Sequence, residues 1–213
     1  MGWKEFFMPT LILVSLFIFI KARRKFGFTI FIVFSCYLTL NFLVELLSSV
    51  IAYYNGNNLP LYNFDILAEN IVFCYVFFHI NNSKLVRNGL IVSAALFLLF
   101  WIINFTFIQK SSNLNSYSYL LSCIILSVFS LVTIYRFIFT NASDDPFHNF
   151  FFWVSVGILF CYLGSTPYLA SFNILEIKDN VTAYSLTIIS EVVNSILYLM
   201  IITGTLCHRP HRN

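Results

Sequence analysis

Three glutamates stand within apolar stretches of this sequence, each with an asparagine close by. Asn41 precedes Glu45 by four residues, Asn70 follows Glu69 directly, and Asn194 follows Glu191 by three. On a helix, positions three or four apart share a face, so the first and last pairs act from one side. A carboxylate at membrane depth is costly and marks a binding site or an ion pathway. No lysine or arginine stands at the same depth, so three ways remain to satisfy these acids. They can hold a proton, accept hydrogen bonds from Asn, Tyr and Ser groups of other helices, or bind a cation from outside. The plainer reading, polar glue between helices, stays open beside the site reading. The expected ligand-binding set is Glu45, Glu69, Glu191, Asn41, Asn70, Asn194 and Tyr162, with Asp65 nearer the outer mouth. Ser122, Ser127 and Ser130 on the fifth stretch and Ser165 and Thr166 on the sixth could line the same cavity, and Tyr162, Ser165 and Thr166, toward the exterior end, fit the carboxylates better.

The histidines gather elsewhere. His79, His148 and His208 fall at the opposite helix ends, with His211 in the tail and Asp144 and Asp145 near them. Three such ligands and a water site would make a zinc centre for lipid chemistry. No HExxH is present, and ligands at helix ends are poorly fixed. The alternative metal set is therefore His79, His148 and His208, and the leading expectation is no metal and no cofactor. A retinal-type Schiff base is excluded, because no lysine lies within a span.

The elements that must position these residues follow from composition. The chain has 213 residues, 59% hydrophobic, 19% aromatic and 10% charged, whereas soluble domains are about a quarter charged. A surplus of Phe, Leu and Ile on that scale belongs in lipid. Seven apolar stretches, at roughly 6–20, 27–53, 64–80, 89–108, 117–140, 149–170 and 183–207, predict an all-α, polytopic transmembrane helical bundle forming one domain over 1–213. At about 20 residues per span, they leave only short loops. The five cysteines show no CxxC spacing or secreted disulfide pattern. Phe6–Ile20 carries its positive cluster after the apolar run, unlike a secretory signal, and reads as a retained first helix. Gly157 and Gly164 in the sixth stretch predict close helix approach.

Charge orients the bundle. With the N-terminus outside, Lys21, Arg23, Arg24, Lys25, Lys84, Arg87, Arg136, Arg209 and Arg212 are cytoplasmic, and only Lys4, Lys110 and Lys178 are exterior. Positive residues favour the cytoplasmic side. The expected arrangement is therefore seven spans, N-terminus outside and C-terminus cytoplasmic, in a bacterial inner membrane; the competing arrangement is six spans, with the first segment lying along the interface. The net charge of +3 sits in small juxtamembrane groups, which does not describe a nucleic-acid surface. Tyr62 precedes Glu69 by seven residues and Tyr184 precedes Glu191 by seven, a weak echo of a parallel repeat of the kind found in transporters.

Several stretches resemble a family of small, about seven-span integral membrane proteins of Bacteroidota to which no activity is attached. They are LPLYNFDILAEN (59–70), NSYSYLLSCIILS (115–127), FFFWVSVGILFCYLG (150–164) and EVVNSILYLM (191–200), with NFLVE (41–45) before them. In the family pattern an Asn-Pro pair stands shortly before Phe-Trp, whereas here Asp145-Pro146 stands earlier with FHNFF between. The resemblance implies the membrane architecture and directs attention to Tyr62, Asn63, Glu69, Trp153, Gly157 and Asn194.

The leading functional expectation is transport or binding of a small polar or cationic solute through a carboxylate-containing pocket in the outer half of the bundle. A non-catalytic receptor or assembly subunit, working with a membrane-protein partner or as a homo-oligomer, is the second class. A membrane-embedded, lipid-modifying metalloenzyme is the third. Beyond these, the expected partner is the lipid bilayer itself, with no nucleic acid.

Overall fold

The computed structural model describes residues 7–54, 56–109, 113–140, 145–174 and 180–209, with side chains described outside 168, 170–174 and 180–187. It is all-α. The helices are α1 (Phe7–Lys21), α2 (Phe28–Tyr53), α3 (Leu59–Ile80), α4 (Lys84–Ile103), α5 (Ser116–Phe139), α6 (Phe150–Ile174) and α7 (Asn180–Cys207). Short 3₁₀ turns precede α2 and α6, and a π turn, Asn104–Ile108, extends α4.

Two helices start earlier than their apolar runs predict. Helix α3 begins at Leu59 with Pro60 in its first turn, a position where proline sacrifices no intrahelical bond and presets φ. The LPLYN stretch is thus helix rather than loop, and Tyr62 joins the same helix as Asp65 and Glu69. Helix α4 likewise begins at Lys84, ahead of the apolar run at 89.

Among the described residues, six helices are long and apolar enough to cross a membrane. The expectation of seven meets a shorter α1 of 15 residues, about 22 Å at the helical rise, against a hydrocarbon core of about 30 Å. Helix α1 nevertheless packs into the bundle. Met8, Ile12, Ser15 and Phe19 recur at helical spacing and are buried, and α1 packs against both α2 and α7.

The packing order closes a ring: α1, α2, α3, α5, α6 and α7, with α7 returning to α1. Helix α4 stands outside the ring against α3 and α5, burying only Leu90, Phe97 and Trp101. The outer surface is apolar, with Leu96 and Ile124 each 59% exposed, as lipid permits and water would not.

The tightest seam joins α6 and α7. A Cβ on Gly164 would lie 2.6 Å from Val193 Cγ1, and one on Gly157 would lie 2.8 Å from Met200 Cβ. Gly204 on α7 answers with Trp153 Cβ at 2.9 Å. Small residues let helix backbones approach, which is how membrane helices gain van der Waals contact without a hydrophobic driving force.

The end bearing the basic KARRK segment is filled by aromatic rings. Phe19 meets Phe26, Phe31, Phe34 and Phe150 at centroid distances of 4.8 to 5.8 Å. Lys25 Nζ reaches across to donate to the carbonyls of Thr205 and Leu206, both at 3.1 Å, capping the last turn of α7.

Candidate ligand-binding cavity

At the opposite end, a cavity of about 560 Å³ opens between α2, α3 and α7. Helix α2 contributes Asn41, Glu45, Ser48, Ser49 and Ala52, which helical spacing puts on one face. Helix α3 contributes Leu59, Tyr62, Asp65, Ile66 and Glu69, again one face, and α7 contributes Glu191, Asn194, Leu197 and Tyr198. Met8 of α1 and Tyr119 of α5 complete the wall. Four carboxylates therefore line one space: Glu45, Asp65, Glu69 and Glu191. Among the described lining residues there is no lysine, arginine or histidine.

Glu69 is the most firmly held acid. Tyr37 on α2 donates its hydroxyl to Oε1 at 3.0 Å, and Tyr162 on α6 donates to Oε2 at 2.8 Å. Both tyrosines are buried and both rings lie against Phe73, at 4.9 and 6.3 Å. Glu45 accepts a longer bond from Tyr62, 3.4 Å. Asn41 is fixed on both sides: its Nδ2 donates to the Tyr37 carbonyl at 3.1 Å, and Tyr198 donates to its Oδ1 at 2.9 Å. Asn194 Oδ1 accepts from Cys161 Sγ at 3.2 Å. Asp65 Oδ1 is buried with no hydrogen-bond partner among the described residues.

Of the residues singled out from the sequence, Glu45, Glu69, Glu191, Asn41 and Asn194 line the cavity. Asn70 does not. It is fully buried on another face of α3, donating to Ser122 Oγ at 2.8 Å and accepting from Cys74 at 3.6 Å. Consecutive helical residues point about 100° apart, so Glu69 and Asn70 face different neighbours. Tyr162 is absent from the wall itself and acts behind it, through Glu69. The serines of α5 are not among the lining residues either: Ser122 ties α5 to Asn70, and the hydroxyls of Ser127 and Ser130 are buried with no hydrogen-bond partner among the described residues. Ser165 and Thr166 turn back to the carbonyls one turn earlier, at 2.8 and 2.9 Å. Sequence reasoning left Tyr37 and Tyr198 out, although each stands four residues from a chosen asparagine and so on its face. Asp65, expected nearer the mouth than Glu69, lines the cavity one turn before it on α3.

A second polar group sits beside the cavity and has a structural task. Asn63 Nδ2 donates to the Asn113 carbonyl at 2.8 Å, its Oδ1 accepts from the Asn115 N–H at 2.7 Å, and Trp101 Nε1 donates to its carbonyl at 3.1 Å. Asn104 donates to Asn115 and to Ser118. Together they staple the start of α5 to α3 and to the π turn.

The histidines do not converge. His148 and His208 approach through the main chain, with His208 Nδ1 3.4 Å from the His148 carbonyl. The His208 ring stacks on Phe26 at 4.9 Å, and His79 lies against Tyr75 at 4.4 Å. Among the described residues no three His, Cys, Asp or Glu side chains are grouped to hold a metal ion, so the alternative set His79, His148 and His208 is not assembled. His211 and Asp144 lie outside the described residues. Asp145 pairs with the His148 ring at 2.8 Å. The Phe147 N–H, and after it His148, hold its carboxyl below the usual range.

The chain matches no family model, no curated protein and no solved structure. Fold and surface define its class without them: a multi-pass, all-α helical bundle of the polytopic membrane type.

Proposed function

We propose that the chain binds a small cationic solute in the cavity between α2, α3 and α7, and that this site is the centre of a transport or capture function. The observation that carries the reading is four carboxylates around one cavity whose wall holds no basic residue. Its size falls in the range of small-molecule sites, about 300–1,000 Å³. A cation entering it would meet acceptors already positioned by Tyr37, Tyr62 and Tyr162, and would exchange its hydration for charge-assisted hydrogen bonds.

We further infer seven spans with the N-terminus outside, α1 completing the ring, in a bacterial inner membrane, so that the cavity faces the exterior. The basic residues near the other end support that orientation. Beneath Glu69, the Phe19–Phe34–Phe150 packing stands between the cavity and the basic end. Passage would require those rings to part, whereas capture would not. The likeness to the Bacteroidota family remains part of this proposal.

The test is binding by the purified full chain in detergent, read as thermal stabilisation by a panel of cations: sodium, calcium, tetramethylammonium and spermidine. At least one should stabilise saturably in the wild type and lose that effect in Glu191→Gln and in Glu45→Gln. If no member of the panel stabilises in a carboxylate-dependent way, the reading is wrong.

A further inference from the structure

Building on that reading, we propose that the cavity's ligand is a free linear oligoamine, an organic chain carrying two or more ammonium groups, rather than a metal ion, a single ammonium or a zwitterion.

Spacing comes first. The acids do not meet at a point. Asp65 and Glu69 are one turn apart on α3, about 6 Å along the axis, while Glu45 and Glu191 stand on two other helices of the same cavity. A hard divalent cation wants roughly six or more oxygens within about 2.6 Å, and among the described residues no group of three acids, histidines or cysteines is close enough to hold a metal. One ammonium would satisfy the acids around a single level and leave the rest unneutralised. A chain with several ammoniums spreads its charge as the carboxylates are spread.

The wall between the acids is suited to the rest of such a molecule. Ile66, Leu197 and Met8 offer apolar surface to methylene spacers, and Tyr62, Tyr119 and Tyr198 offer rings that attract a desolvated cation. Asp65 lines the same cavity one turn from Glu69 and adds a carboxylate along the length of such a ligand. Glu69 already takes two tyrosine hydroxyls, so Glu45, Asp65 and Glu191 have the greater unmet capacity.

Charge balance removes the near alternatives. An amino acid would bring its own carboxylate, and a phosphatidylethanolamine headgroup its phosphate. The described wall has no lysine, arginine or histidine to receive either. The ammonium chemistry is shared with the lipid headgroup, but the surroundings favour the free amine.

The experiment uses the full chain in a nonionic detergent and follows the thermal unfolding midpoint against spermidine, propylamine, arginine, calcium chloride and phosphatidylethanolamine mixed micelles. Spermidine is expected to stabilise saturably, with propylamine weaker by about tenfold or more, since loss of a charge-assisted hydrogen bond costs at least that much. Glu191→Gln should weaken spermidine by a similar factor. Glu45→Gln reads the same quantity if the first variant does not fold, with far-ultraviolet circular dichroism reporting the fold of each. Calcium or propylamine stabilising as well as spermidine would overturn the oligoamine inference and leave the cation site standing. Arginine matching spermidine, or phosphatidylethanolamine displacing it, would overturn the free-amine assignment. No carboxylate-dependent effect from any of these, or from the wider panel above, would remove both proposals together.

Discussion

Glu69 and Asn70 are neighbours in the chain and opposites in the bundle. Glu69 faces the cavity and collects hydroxyls from α2 and α6, whereas Asn70 turns to α5 and bonds Ser122. The difference yields a prediction at the scale of one side chain. Asn70→Leu should lower stability by about 0.6 to 1.7 kcal/mol, the measured worth of interhelical hydrogen bonds in membranes. It should leave ligand binding unchanged. Equilibrium unfolding in mixed detergent micelles measures the first quantity and a binding titration the second. Loss of binding with stability intact would place Asn70 in the site after all. At this scale the sequence was informative about the acids and silent about their partners. Glu45, Glu69 and Glu191 are conspicuous because charge is costly in hydrocarbon. Tyr37 and Tyr198 are not, because tyrosine is amphipathic and common in such helices. What its hydroxyl meets depends on how two helices are rotated, which no spacing within one helix reveals.

Between elements, contact distance dominates. The α6–α7 seam has glycines where any side chain would collide: Gly164 against Val193, Gly157 against Met200, Gly204 against Trp153. Gly164→Val should destabilise by about 1–3 kcal/mol, the usual cost of overpacking. Gly27→Ala, with nothing within 4 Å of the added methyl, should stay within about 0.5 kcal/mol of wild type. Thermal unfolding of both variants measures the contrast, and equal midpoints would refute the close-packed seam. Helix existence was plain from apolar length, and Gly157 and Gly164 announced close approach. Helix starts were less plain. Pro60 looks like a loop residue until one allows for proline in a first turn, and Lys84 precedes its apolar run because a helix can begin before the hydrocarbon does.

For the whole molecule, asymmetry between the two ends is the organising fact. One end holds an acid-lined cavity, and the other holds the described basic residues and a plug of phenylalanines. A single cysteine placed at Asn57 in an otherwise cysteine-free chain should react in intact cells with a maleimide that cannot cross membranes. A cysteine retained only at Cys207, exposed at the opposite end, should react only after permeabilisation. The reverse pattern would invert the proposed orientation and turn the cavity toward the cytoplasm.

The closed order of packing has a consequence for how the protein is made. Helices α1 and α2 are synthesised long before α7, yet α1 lies against α7, and Lys25 binds carbonyls of Thr205 and Leu206, some 180 residues further on. Until α7 is inserted, the cavity lacks the wall that carries Glu191, Asn194, Leu197 and Tyr198, and the acids of α2 and α3 are left open on that side, where an apolar surrounding is costly for charge. The nascent bundle is therefore least comfortable just before completion. A chain interrupted ahead of α7 would be a natural substrate for membrane proteases and insertion chaperones, and arrival of the final helix both seals the wall and ends that vulnerability.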